Sequence, residues 1–193
     1  YWDWTDPSTG KEGIPDLLKP KEVELNLPDG GTQILKNNPL ATYKFENPRP
    51  DGFANIQNSG KDPWTPFLRG ETAFFKDWTS TYRWPTSELE PMEQYNLLNQ
   101  LLIDDDKINR YGWRTLRSNV AHIFTFPLTT KADRGFKDYK AGKINCQVAS
   151  FLLIFFMIGS VEHSHNSVHL LLGGLGHMSN NDYAGFDPIF YLH

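Results

Sequence analysis

Two stretches decide how this chain is read: Val161-Glu162-His163-Ser164-His165-Asn166-Ser167-Val168-His169 and Asp187-Pro188-Ile189-Phe190-Tyr191-Leu192-His193. Five of the six histidines in the sequence lie between residues 163 and 193. At about 100° per residue, a helix over 160–172 puts His165 and His169 on one face, one turn apart. Two imidazoles so spaced can reach one metal ion. Val161, Val168 and Leu172 fall on the same stripe, so the stripe points toward a core. Imidazoles turned into an apolar interior are costly unless their nitrogens are satisfied, and a metal ion satisfies them well.

The pattern H-x-x-x-H alone is weak, because two histidines at helical spacing are most often solvated or hydrogen-bonded. Its neighbours single this copy out. Glu162 sits about 60° round the wheel from His165 and about 20° from His169, one turn nearer the N-terminus, so its carboxylate can approach the same place. Asn166 offers an amide that can orient a ring or hold a water. His163 lies about 160° from His165 and reads as exposed. Gly173-Gly174 ends the helix, as glycine at a C-terminus does.

These residues resemble the second copper-binding half of the type-3 copper proteins, and most of all a fungal tyrosinase. Glu162-x-x-His165-Asn166-x-x-His169 resembles the helix that carries the first two ligands of the second copper. Gly173-Gly174 followed by Gly176-His177-Met178-Ser179 resembles the family's turn after it. Phe186-Asp187-Pro188-Ile189-Phe190-Tyr191-Leu192-His193 resembles the start of the helix carrying the third ligand, and Tyr1-Trp2-Asp3-Trp4 the segment after the first copper site. Order and separation also suit the family.

The resemblance implies two copper ions, each held by three histidines, that together bind O2. The pair oxidises o-diphenols to o-quinones and, in true tyrosinases, first hydroxylates monophenols at the ortho position. By resemblance His165 and His169 hold the second copper. Glu162 matches the carboxylate that, with the residue after the first histidine, here Asn166, holds a water able to take the phenol's proton. That pairing favours monophenol hydroxylation in addition to diphenol oxidation. Leu170, just after His169, is expected near the substrate entrance. The partners implied are a phenolic small molecule and O2.

Two departures bear on this reading. The family's first three ligands precede the Y-W-D-W segment, and His122 is the only histidine here before residue 163. The family pattern ends D-P-x-F-x-x-H-H with its second histidine as ligand, whereas this sequence stops at His193. The sequence is therefore expected to be a fragment of a larger copper phenol oxidase, inactive in isolation. Three alternatives stand beside it: a catechol oxidase without monophenolase activity, an oxygen carrier of the hemocyanin kind, and a non-catalytic helical domain with structural zinc. The last would need Cys146 and His177 as closing ligands, and their spacing resembles no zinc module.

Composition narrows the field further. A length of 193 residues permits one domain, 1–193, with a sizeable core. A net charge of −4 offers no basic surface for nucleic acid. Asp104-Asp105-Asp106 reads as a solvated loop. The single cysteine excludes an internal disulfide framework and leaves the compartment open. Phe151 to Ile158 is an unbroken apolar run, far short of the roughly 20 residues a membrane span needs, so no membrane partner is expected.

Along the chain, residues 1–10 read as a tight aromatic turn broken by Pro7 and Gly10, with Asp3 capping backbone N–H groups near the core. Ile14 to Pro20 reads as a short helical or turn segment. Glu22 to Leu27 alternates with period two, Pro28-Asp29-Gly30-Gly31 is turn chemistry, and Thr32 to Leu35 returns, which together predict a hairpin. Asn37 to Thr86 has no sustained period and reads as a covering loop. Thr86 or Ser87 is expected to cap a helix over about Glu88 to Leu102, and a second helix runs from Trp113 to about Phe124, carrying His122 as a packed or surface histidine. His177 is given a structural or pocket-rim place, and Asp187-Pro188 starts the last helix. The fold expected is mainly α: part of a four-helix copper bundle of the tyrosinase kind, with long irregular loops and a small β-hairpin.

Overall fold

The structure is a computed structural model that describes residues 1–19, 22–46, 49, 51–59, 68–103, 112–124 and 161–192, without the side chains of 122–124 and 161–163. The carboxylate of Glu162, the imidazoles of His122, His163 and His193, Cys146, the acidic triplet 104–106 and the apolar run 151–158 lie outside that set. The described residues form four α-helices, α1 (Pro7–Glu12), α2 (Tyr95–Ile103), α3 (Trp113–Phe124) and α4 (Val161–Gly173), with a small hairpin β1 (Val23–Asn26) and β2 (Thr32–Leu35). The mainly helical class and the small hairpin are as expected.

The helices close a ring of contacts: α1 packs on α2 and α3, and both pack on α4. Inside the ring lies one core, with Trp2, Ile14 and Leu18 from the N-terminal segment and Leu98, Leu101 and Leu102 from α2. Leu116 of α3, Val168, Leu171 and Leu172 of α4, and Met178 and Ile189 beyond it complete that core. Burying this much aliphatic and aromatic surface is what holds short helices that would be marginal alone.

The first ten residues differ from expectation. Pro7 does not break the segment; it sits at the first turn of α1, where its missing N–H costs nothing, behind Asp6 as N-cap (Ser8 N to Asp6 Oδ1, 2.8 Å). Gly10 lies inside this helix because the indole of Trp113 occupies the space a Cβ would need. Asp3 does cap backbone, accepting from Thr5 N at 2.9 Å, but it is exposed rather than near the core. Within the stretch expected to be a short helical or turn segment, Asp16–Leu18 form a turn of 3-10 helix.

The second difference is α2, which starts at Tyr95 and not near Glu88. Pro91 would fall inside an earlier helix, where it would remove a backbone donor and clash with the preceding turn. The chain folds back instead, bridging Pro85 to Glu93, and both expected caps are used elsewhere. Thr86 Oγ1 accepts from Met92 N at 3.1 Å, and Ser87 Oγ takes Thr72 N at 2.8 Å. In contrast α3 spans Trp113–Phe124 as read from the pattern.

The hairpin has the expected strands, with Val23 opposite Leu35 and Asn26 opposite Thr32. Its alternation does not mark a buried face, because both strands lie in solvent and Ile34 is 64% exposed. Among its described residues the irregular segment 37–86 contributes one further pair of short strands, β3 (Ile56–Gln57) and β4 (Thr72–Ala73). It wraps a second, aromatic core of Phe75, Trp78 and Tyr183, flanked by Phe53, Phe74 and Tyr82. One ion pair ties this loop to the C-terminal segment. Arg83 and Asp187, both buried, meet with Nε 3.1 Å from each carboxylate oxygen, while the guanidinium also donates to the carbonyls of Leu18 and Leu40. Burial works against the guanidinium's charge, but the carboxylate outweighs it and holds the Arg83 pKa above its ordinary value.

Candidate metal centre

The site is built on α4. His165 and His169 stand one turn apart with ring centroids 4.6 Å from each other and planes at 84°, and their Nε2 atoms are 3.0 Å apart. His169 is 6% exposed and His165 is exposed. The expected stripe therefore divides: Val168 and Leu172 join the helical core and His169 is buried beside the Met178 carbonyl and the Phe190 ring, while His165, a turn earlier, is exposed.

His169 Nδ1 lies 2.8 Å from the backbone carbonyl of Met178. A carbonyl only accepts, so Nδ1 carries the proton and Nε2 presents its lone pair toward His165. This is how metal-binding histidines are set up, with the far nitrogen anchored and the near one basic. Two nitrogens 3.0 Å apart can both bond one ion at about 2.0–2.1 Å, subtending roughly a right angle there. The pair fits a metal that takes imidazole ligands, which includes copper. Among the described residues no group of three or more His, Cys, Asp or Glu comes together around an ion.

Asn166 is exposed beside His165. Leu170 is half-buried and turned about 100° from His169, toward a cavity of roughly 220 Å³ that it lines with Ile56, Phe75 and Leu175. His177 is fully buried and not at a rim. Gly174 N bonds Leu170 O at 3.0 Å as α4 ends. After it Asp187 caps the segment Pro188–Tyr191, accepting from Ile189 N at 3.1 Å; this expected start is a turn of 3-10 helix. Phe190, from that turn, sets its ring 5.8 Å from that of His169.

Sequence reasoning missed three participants. The Met178 carbonyl is backbone and leaves no mark on residue type. Arg83 lies in an unpatterned loop. Phe190 sits within a motif that draws attention to its histidine.

The common central domain of tyrosinase matches residues 1–193, the whole chain. The chain belongs to the tyrosinase family. It is 27% identical over 196 residues to a tyrosinase of Neurospora crassa, covering 100% of this chain and 23% of that protein. It is 28% identical over 206 residues to polyphenol oxidase 3 of Agaricus bisporus, covering 100% of this chain and 28% of that one. The chain thus spans about a quarter of the length of these curated relatives. In fold it is similar to a copper-depleted mutant of the Aspergillus oryzae active tyrosinase complexed with L-tyrosine, with a TM-score of 0.61 at 18% identity over 100% of this chain and 48% of that one. Membership of the tyrosinase family implies copper as the metal. Among the described residues no helix is long and apolar enough to cross a membrane.

Proposed function

We propose that this chain supplies the second-copper half of a copper phenol oxidase that uses O2 to oxidise o-diphenols to o-quinones and to hydroxylate monophenols at the ortho position. The observation that carries the reading is the imidazole pair, Nε2 to Nε2 at 3.0 Å, with the inner ring's far nitrogen fixed on the Met178 carbonyl. Copper held there supplies the electron-transfer and O2 chemistry. His169 is the preset ligand. His165, at the exposed end, would be the second ligand to the same ion. Glu162 accepts the phenol's proton through a water, and the amide of Asn166 orients that water without competing for the proton. Leu170 lies along the approach of the substrate.

The test is made on the full-length protein. His169→Ala and His165→Ala should each abolish diphenol oxidation and lower bound copper; full copper with retained activity in either variant sinks the assignment. Glu162→Gln should reduce monophenol hydroxylation more than diphenol oxidation. Equal losses would remove Glu162 from the proton path, and an unaltered protein that oxidises diphenols but never hydroxylates monophenols would be a catechol oxidase.

A further inference from the structure

His177 is the most completely buried histidine described, at 0% exposure. Its ring sits in an aromatic cage, with centroids of Phe75 at 4.8 Å, Phe45 at 5.3 Å, Trp78 at 5.7 Å and Tyr183 at 6.4 Å. Nδ1 accepts from the backbone N–H of Tyr82 at 3.3 Å, so the proton is on Nε2, which has no hydrogen-bond partner among the described residues. Leaving a buried N–H unpartnered is unfavourable. A phenylalanine would fill the same cage without that cost, so the imidazole's distinctive contribution is its acceptor for Tyr82.

That acceptor bears on the metal centre. His177 opens the 3-10 turn His177–Ser179, and the next residue, Met178, offers the carbonyl that fixes His169. The turn is held at both ends. Gly176 N bonds Gly173 O at 2.8 Å, and Asn180 N bonds His177 O at 3.1 Å. Gly176 also packs so closely on the carbonyl of Tyr82 that any Cβ would collide with it. The segment around Tyr82 is thus a wall for the turn, and His177 is the side chain that bonds the two together.

From this geometry we infer that His177 is a positioning residue for the second copper: by locking the 177–179 turn to Tyr82, it aims the Met178 carbonyl at His169 Nδ1 and so sets which nitrogen of His169 is free for metal. This inference rests on the copper reading of His165 and His169, and it goes beyond that reading by assigning a histidine that touches neither metal nor substrate.

Two variants of the full-length protein separate the role from simple packing. His177→Phe fills the cage but loses the acceptor; His177→Asn keeps an acceptor near the position of Nδ1 but leaves the cage underfilled. Copper affinity would be read by competition with a chelator, the His169 tautomer in the copper-free protein from imidazole 15N shifts, and stability from thermal unfolding. The Phe variant should bind the second copper about 10–100-fold more weakly, the size typical of a lost outer hydrogen bond. Its His169 should lose the single Nδ1–H tautomer while Tm stays near the starting value. The Asn variant should keep affinity within about threefold and the tautomer unchanged, at a lower Tm. The inference is overturned if affinity follows Tm in both variants, or if the Phe variant keeps both affinity and tautomer. His169→Ala serves as the control: if it keeps its copper, the copper reading fails, whatever the position-177 variants do.

Discussion

Replacing Arg83 with alanine should destabilise this domain more than any change at its surface. Arg83 is 1% exposed and Asp187 0%. The guanidinium reaches both carboxylate oxygens, with its shortest contact 2.6 Å from Nη2 to Oδ1, and two of its N–H groups satisfy the carbonyls of Leu18 and Leu40. Removing one partner of a buried pair strands the other charge, at a cost of about 3–5 kcal/mol. Native domains hold only about 5–15 kcal/mol, so the variant would stand near the limit of folding. For a chain of this size each kcal/mol is roughly 2–4 °C in Tm, which puts the expected fall at about 6–20 °C. Urea unfolding of the full-length protein followed by tryptophan fluorescence would read the loss. A companion, Arg83→Met with Asp187→Asn, removes both charges while keeping an acceptor for Ile189 N. It should recover at least about half of the stability, because an apolar or neutral replacement of a buried pair is often close to neutral. A loss below about 1 kcal/mol in Arg83→Ala, or a double variant no better than the single one, would refute the view that the pair is dry and mutually dependent.

Other outcomes follow from the same structure. Burial pushes the His177 pKa down to about 3, against about 6.5 for the unfolded chain, so unfolding takes up a proton between those values. His177 therefore costs no stability above pH 6.5 and up to about 1.4 kcal/mol per pH unit as pH falls toward 3; subtracting the His177→Phe stability profile from the starting one should expose that slope, and a flat difference would contradict it. Gly176→Ala should lower Tm by several degrees and weaken copper binding together, since the collision is with the Tyr82 backbone and not with a movable side chain; an unchanged Tm would show that the turn can give. Leu170→Trp should raise KM for a bulky diphenol with copper content unchanged, and an unchanged KM would take Leu170 off the substrate's path.

The elements legible in the sequence are those where pattern and local chemistry agree. α3 and the end of α4 are set by periodicity and by paired glycines, and the hairpin by turn residues between alternating arms. Asp187-Pro188 reads as a cap because its signal is local and its burial reinforces it. Where local signals compete, the reading fails. Thr86 and Ser87 look like caps but serve tertiary partners, Met92 and Thr72, and Pro91 delays α2 by most of two turns. Pro7 and Gly10 look like breakers, yet one starts a helix and the other makes room for Trp113. At the centre, the spacing of His165 and His169 was enough to bring their rings together, but the uneven burial of the two was not. His169 is buried with the Met178 carbonyl and the Phe190 ring beside it, and both belong to the chain beyond α4, which helical spacing does not report. The Met178 carbonyl is the clearest limit, because a backbone acceptor is set by the path of the chain and not by residue type.

His177 and Met178 are consecutive, yet their side chains belong to different cores, one to the aromatic cluster wrapped by residues 37–86 and the other to the helical cluster. Tyr183 ties the same wrapping segment down again, its hydroxyl accepting from Ala54 N at 3.1 Å. The described residues around Tyr82 have little regular structure, and such a stretch would ordinarily open on its own more often than the helices beneath it. Here it cannot lift without dragging the 177–179 turn, and with it the hydrogen bond that orients His169. In hydrogen exchange the Tyr82 amide should therefore share the opening free energy of the α4 amides, so that the loop and the helix behave as one cooperative unit and the centre is never half-assembled.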